Sequence, residues 1–435
     1  MKKKTLNRKT MDRIMLVSWL ALMIVNVISY YITRYFGGII MVAVYWGFAM
    51  YFNFVYGDDK TTDTKYNARH LLVFLVLFFI EMQLLVNTSK GNSYTTMGVT
   101  FNMFVWQVLS SVVPKIYGCM GIVSRSNKEM LKWAGNIFKY LILFICATTL
   151  VILKTNPLAS KLTAVGSVNL YVPFLAGYGL VYAMSTIVPV LLMRMEKERN
   201  KTFWIVSILA MVAAVFFASY FLAIIAMIVG VVCFFLLRVK NSFIRIGTIS
   251  LFVLVVSYIL VSDKIVDILL GLADIVPLEM LQIRLQETAQ TFINGSTEGT
   301  AVRFAMYYTE LKEFLRHPLT GNAIWSRDIV LSGHSTILDM LASGGLIVFS
   351  FYFLYFWSAH KTNLLFCPTQ KEKAAAIASF ISMMFVSTFN PVFSAPEVMM
   401  FFLLAVPLLF VNDKENSDQT AKGKFQCKYV RSKRF

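Results

Sequence analysis

Four side chains recur along one side of a short stretch: Arg303, Tyr307, Glu310 and Phe314 fall at i, i+4, i+7 and i+11. That spacing places them on one face of an α-helix, with Phe304, Tyr308, Leu311 and Leu315 on the other. Thr300 reads as the N-cap, Arg316 as the last helical residue and His317-Pro318 as the stop. Arg316 and His317 join Tyr307 and Glu310 as candidate substrate-binding groups, although a histidine before proline also serves simply to end a helix. Further on, His334 stands in Ser332-Gly333-His334-Ser335 at the mouth of a long apolar stretch. A neutral imidazole there accepts a proton near physiological pH, which makes His334 the candidate general base; its plain alternative is a hydrogen-bonding residue. Asp339, at i+5, lies too far round the helix to orient that ring. Two carboxylates complete the set: Glu81, within an apolar block, and Glu397, which opens the last apolar block after Pro391 and Pro396. Carboxylates inside a membrane are rare and face a cavity or a partner.

Other chemistries lack their motifs. The sequence has no GxxxxGK[ST] phosphate loop, no Asp-x-Asp pair, no CxxC and no HExxH, so neither a hydrolysed nucleotide nor a bound metal is expected. No cofactor is implied.

The elements that must position these groups are apolar. Of 435 residues 57% are hydrophobic and 15% charged, with 37 Phe and 23 Met. That leaves too little polar surface to cover a soluble core. The apolar residues come in blocks of roughly 17–25, the length that crosses a bilayer as a helix. The expected spans are 14–33, 37–56, 71–87, 98–118, 134–153, 169–193, 203–218, 221–237, 246–262, 334–357, 374–390 and 396–411. The fold class is therefore an all-α transmembrane bundle of about 12 helices, since backbone in lipid must satisfy its own hydrogen bonds. The first block reads as a retained helix and not a cleaved signal, having no small-residue cleavage site behind it. Four regions follow: nine spans over 1–262, a large extracytoplasmic loop over 263–333, three spans over 334–411 and a basic tail over 412–435.

The +18 net charge is distributed as a topology signal. With the N-terminus inside, about 29 Lys and Arg fall on inner segments and about 10 on outer ones. Both termini are then cytoplasmic, the tail contacts anionic lipid, and no nucleic-acid role is expected. The run from Phe203 to Leu237 is too long for one helix; a tight hairpin at Ser219-Tyr220 keeps the charge bias, whereas one long helix would invert everything after it. Cys119, Cys146, Cys233, Cys367 and Cys427 lie in helices or on the inner side, so no outer disulfide is implied. His70 and His360 fall on the inner side as solvated loop residues, and Lys139 is expected to snorkel.

The outer loop is the unusual part, because loops of this length are generally functional. Leu278, Leu281, Leu285 and Phe292 form an imperfect stripe over 277–292, broken at Asn294-Gly295-Ser296 before the Arg303 helix begins. Helices of this kind beside membrane spans suit the lipid interface, or simply cap the bundle. Thr300-Ala-Val-Arg303-Phe, followed by Leu315-Arg316-His317-Pro318-Leu319-Thr320-Gly321, resembles a segment of the bacterial O-antigen ligases and Wzy-type polysaccharide polymerases. Gly333-His334-Ser335-Thr336-Ile337-Leu338-Asp339-Met340-Leu341, with Gly344-Gly345-Leu346, resembles that family's histidine-led start of the next helix. The local likeness covers about sixty residues, near 297–357, and the late outer loop agrees across the chain. One departure stands out: many members carry a Ser-Arg pair where this chain has Ser219-Tyr220, so that diphosphate-binding arginine does not carry over.

The resemblance implies transfer of a glycan from undecaprenyl diphosphate to an acceptor hydroxyl on the outer face of the bacterial cytoplasmic membrane. The energy resides in the glycosyl–diphosphate bond, so neither nucleotide nor metal is needed. His334 would then deprotonate the acceptor, and Arg303 would pair with phosphate oxygens. Apolar helices would hold the polyprenyl chain, and a flippase and a chain-length regulator are the expected protein partners. The function this implies is polymerase of lipid-linked repeat units, with two alternatives: a ligase moving finished glycan to another carrier, and a flippase or transporter. A transporter would predict internal repeats and short loops, whereas this chain shows one long loop and no repeat.

Overall fold

The computed structural model describes residues 7–25, 28, 31–32, 35–55, 113–126, 128–160, 172, 174–239, 241, 243, 247, 264–276, 279–294, 300–322, 334–392 and 395–411. Among these, regular structure is helical throughout, with no strand. In order the helices are α1 (Arg8–Ile24), α2 (Gly38–Met50, continued by a π turn over Tyr51–Val55), α3 (Val113–Arg125), α4 (Lys128–Thr155), α5 (Tyr178–Lys197), α6 (Lys201–Phe217) and α7 (Phe221–Arg238). They continue with α8 (Lys264–Ile275), α9 (Glu279–Asn294), α10 (Thr300–Arg316), α11 (Thr336–Leu364), α12 (Gln370–Phe389) and α13 (Pro396–Phe410).

Among the described residues, six helices are long and apolar enough to cross a membrane: α2 with its π turn, α4, α5, α7, α11 and α12. Helices α6 and α13 are shorter apolar helices. The expected span 71–87 and all of the span 246–262 but residue 247 lie outside the described residues. Where spans are seen, their ends differ in instructive ways. The helix expected over 169–193 begins only at Tyr178, after an extended Gly177. Of the one expected over 98–118, residues 113–118 are described, in a helix that runs on to Arg125. The pair around Ser219-Tyr220 is indeed two helices, with Ser219 in the left-handed region at φ 57 turning the chain.

Helix α5 is the hub, with every residue from Leu180 to Leu191 buried. It is enclosed by α6, α7, α12 and α13. A helix apolar on all sides belongs in the middle of such a bundle. The two ends of the bundle differ chemically. One is fastened by ion pairs: Lys9 with Glu129 at 2.7 Å, Arg238 with Glu196 at 2.5 Å, and Lys197 with the fully buried Glu372. Glu372 also closes a capping box with Thr369 that starts α12. The opposite end, where α5, α7, α11 and α13 begin, is held by hydroxyl and amide groups together with the Lys115–Glu397 ion pair.

His360 is not a solvated loop residue. Helix α11 continues to Leu364, and the His360 ring is fully buried, 4.7 Å from the Phe380 ring and 6.0 Å from that of Phe402. Lys139 keeps its ammonium over the rings of Tyr140 and Phe203, at 4.9 and 5.4 Å. Cys119, Cys146, Cys233 and Cys367 are free thiols, and Cys427 lies outside the described residues.

Candidate functional site

Helix α10 packs on α11, and its two faces are sorted opposite to those of a soluble protein's surface helix. Glu310 is buried and Tyr307 half-buried, while Tyr308, Leu311 and Leu315 are exposed. The polar face thus turns to the protein and the apolar face outward, the arrangement that suits lipid. Two buried turns on α9, Leu281, Leu285 and Ala289, reach the core in the usual sense, and α8 packs beside them as a further helix that the sequence pattern missed.

At the end of α10 the chain turns sharply. The His317 amide N–H donates to the Glu313 and Phe314 carbonyls, and the Gly321 N–H donates to the His317 carbonyl at 2.8 Å. Arg316 pairs with Glu313 at 2.7 Å, whose second oxygen accepts from Asn322 Nδ2 at 2.5 Å. So Arg316 and His317 shape the turn here.

This turn fills a break in α11. Gly345 has φ 64 and ψ −161, far outside helical geometry, so residues 336–344 and 346–364 are separate helical stretches. A break frees backbone groups that must find partners, above all in a membrane. The turn supplies them: Leu346 N–H donates to the Pro318 carbonyl at 2.8 Å, Ile347 N–H to the Leu319 carbonyl at 3.2 Å, and Asn322 N–H to the Ala342 carbonyl at 2.8 Å. Only glycines allow this approach. A Cβ on Gly345 would lie 2.5 Å from Gly321 N, and one on Gly321 would lie 2.5 Å from Gly344 N.

Docking the turn brings α10 against the start of α11. Tyr307 Oη donates to the Phe389 carbonyl at 2.9 Å and sits 3.5 Å from the His334 carbonyl. Ser335 caps α11 by accepting from Leu338 N–H at 2.9 Å while its hydroxyl donates to the Thr388 carbonyl at 2.6 Å. The next residue, Thr336, donates through its N–H to the Asn390 carbonyl at 3.3 Å and accepts from Val392 N–H at 2.8 Å. The two residues after His334 are therefore fixed by the end of α12 and the chain that follows it. Tyr307 and His334 come together; Arg303 lies one turn before Tyr307 on the same face of α10, its side chain outside the described residues. Glu81 also lies outside them.

The network extends to α5. Tyr178 Oη donates to Asn390 Oδ1, and its ring packs edge-on to Tyr182 at 4.8 Å and Tyr220 at 5.4 Å. Tyr220 Oη donates to the Ser160 carbonyl at 2.8 Å, so the residue standing where an arginine was sought is occupied with packing. Glu397 is paired at 3.9 Å with Lys115 on α3, whose ammonium also lies 4.9 Å from the Tyr45 ring centre. Lys115, Asn390 and Tyr178 were not singled out from the sequence. For Lys115 a signal existed, since a charge within a span is costly and needs a reason. Tyr178 and Asn390, at helix ends, carry no such mark.

Among the described residues no cluster of His, Cys, Asp or Glu is arranged to hold a metal ion. Against known protein families and curated protein sequences the chain has no match.

Proposed function

We propose that the protein is a polymerase of lipid-diphosphate-linked oligosaccharide repeat units, working on the outer face of a bacterial cytoplasmic membrane. The observation that carries this reading is the docking of the 317–322 turn into the break of α11, which joins the two segments of family-like sequence. Two stretches read independently as one site are held together by backbone hydrogen bonds, with Tyr307 against the His334 carbonyl. The reading takes the chain as about 12 spans with both termini cytoplasmic, so that this end of the bundle is the outer one.

In the proposed reaction His334 takes the proton from an acceptor hydroxyl. The freed oxygen attacks the anomeric carbon of the donor as its bond to the diphosphate breaks. Undecaprenyl diphosphate leaves with the bonding electron pair, and Arg303 stabilises the charge growing on its oxygens. The proton on the imidazole then passes to solvent or to the departing diphosphate. The free energy comes from the cleaved glycosyl–diphosphate bond. The exposed apolar face of α10 would keep this chemistry at the lipid boundary where a polyprenyl carrier lies. A flippase delivering the substrate and a chain-length regulator are the partners this scheme calls for.

The test is an assay of purified protein with the host's own lipid-diphosphate-linked repeat unit, without nucleotide or added metal. A ladder of lengthening glycans, lost in His334→Ala and in Arg303→Ala at unchanged expression, is expected. Transfer only to a second lipid or wall acceptor would make the protein a ligase. Movement of the intact substrate across liposomes, with no transfer, would make it a transporter. Wild-type polymer in either variant would overturn the roles assigned to the two residues.

A further inference from the structure

Three polar groups at the outer end of the bundle have hydrogen-bonding capacity that the fold leaves unused. Asn390 is 3% exposed; its carbonyl serves Thr336 and its Oδ1 accepts from Tyr178, yet its Nδ2 is buried with no partner among the described residues. A buried amide donor left unpaired costs about 1–3 kcal/mol, so packing alone does not account for it. Lys115 and Glu397 form the second and third. Their 3.9 Å separation is an ion pair without a hydrogen bond, and their side chains are 10% and 17% exposed. Neither makes any other hydrogen bond among the described residues, although a buried pair is favourable only when its remaining protons and lone pairs are satisfied.

The three are linked through the start of α5. Tyr178 holds Asn390, and the next residue, Gly179, lies directly under the Glu397 carboxylate: a Cβ there would be 3.1 Å from Glu397 Cδ. Asn390 in turn bonds the backbone of Thr336, two residues after His334.

We propose that Asn390, Glu397 and Lys115 form a subsite for a neutral sugar ring, the acceptor whose hydroxyl is presented to His334. The identity of the ligand as the acceptor rests on the polymerase reading; its chemical class rests on the groups themselves. An amide donor, a carboxylate acceptor and an ammonium donor match a set of ring hydroxyls, each of which both donates and accepts. The pair carries no net charge, which disfavours a diphosphate, since that ligand needs cations uncompensated by a carboxylate.

The test measures binding of the oligosaccharide released from the host's lipid-linked repeat unit to the full-length protein, together with thermal stability. Glu397→Gln and Asn390→Ala should each weaken binding by tenfold or more, and raise KM for acceptor more than they lower kcat. The charge swap Lys115→Glu with Glu397→Lys separates structure from recognition: it should recover the stability lost in Lys115→Glu alone, yet leave oligosaccharide binding impaired. Recovery of both, unchanged binding in Glu397→Gln, or no binding by the wild type would overturn the subsite. Binding that is lost in the variants of a protein that forms no polymer would retain the sugar subsite and sink the polymerase reading. Polymer formed with unaltered KM in Glu397→Gln would do the reverse.

Discussion

Replacing Gly345 by alanine should undock the α10 turn from α11, and the size of the effect follows from three parts. A non-glycine residue at φ 64, ψ −161 carries about 1–3 kcal/mol of backbone strain. The new Cβ would meet Gly321 N and the Leu319 carbonyl carbon at 2.5 Å, and both are backbone atoms with no rotamer to escape into. Relieving that overlap pulls the turn away and gives up the Leu346–Pro318 and Ile347–Leu319 hydrogen bonds, worth roughly 1 kcal/mol each. Together these come to about 3–5 kcal/mol against the docked state. At about 1.4 kcal/mol per tenfold, the amides of Leu346 and Ile347 should exchange with deuterium at least a hundred times faster. Hydrogen-exchange mass spectrometry on the purified protein reads this directly. Gly271→Ala is the control, because a Cβ there meets nothing within 4 Å. Exchange at 346–347 unchanged from wild type in Gly345→Ala would refute the docking argument.

Tyr307→Phe removes the hydroxyl that joins Phe389 and His334 while keeping the ring 6.0 Å from that of Phe389; it should cost about 1 kcal/mol in unfolding and lower kcat without abolishing it. Glu372→Ala leaves Lys197 unpaired and opens the capping box, and a loss of about 3–5 kcal/mol in thermal or denaturant unfolding is expected. The Cys367 thiol, between α11 and α12, is pushed up to about 12 by burial and then by the Glu372 carboxylate. At pH 8 its maleimide labelling should be roughly a thousandfold slower than that of a free cysteine. The sign for stability follows: the neutral thiol favours the fold fully below about pH 9, and this contribution is lost as pH rises toward 12. Rapid labelling of the native protein at pH 8 would contradict the burial.

Helix α10 was legible in the sequence almost to the residue, because its face spacing, its proline stop and its glycine are local signals. The hairpin at Ser219-Tyr220 was legible from the length of the apolar run and from charge placement. The break at Gly345 was not. Gly344-Gly345 stood only as part of the family-like segment, and the carbonyls of Pro318 and Leu319, distant along the chain, explain why the helix parts there. His360 was misplaced because neighbouring Lys361 suggests solvent, whereas the helix phase turns His360 inward onto Phe380 and Lys361 outward. Glu397 was found as a lone carboxylate, but its partner Lys115 lies on a helix far away in sequence, and pairing across a bundle leaves no periodic trace.

The docked turn and the capped start of α11 together make the stretch from His334 to Gly345 a ruler. One end is pinned by Ser335 to the last turn of α12 and by Thr336 to the chain after it, the other by carbonyls from the loop. A residue inserted between the two pins would rotate one relative to the other by about 100°, a helix's advance per residue. The His334 carbonyl would then lose its place against the Tyr307 hydroxyl. Insertions in this short interval should therefore be far less tolerated than single substitutions of its outward side chains.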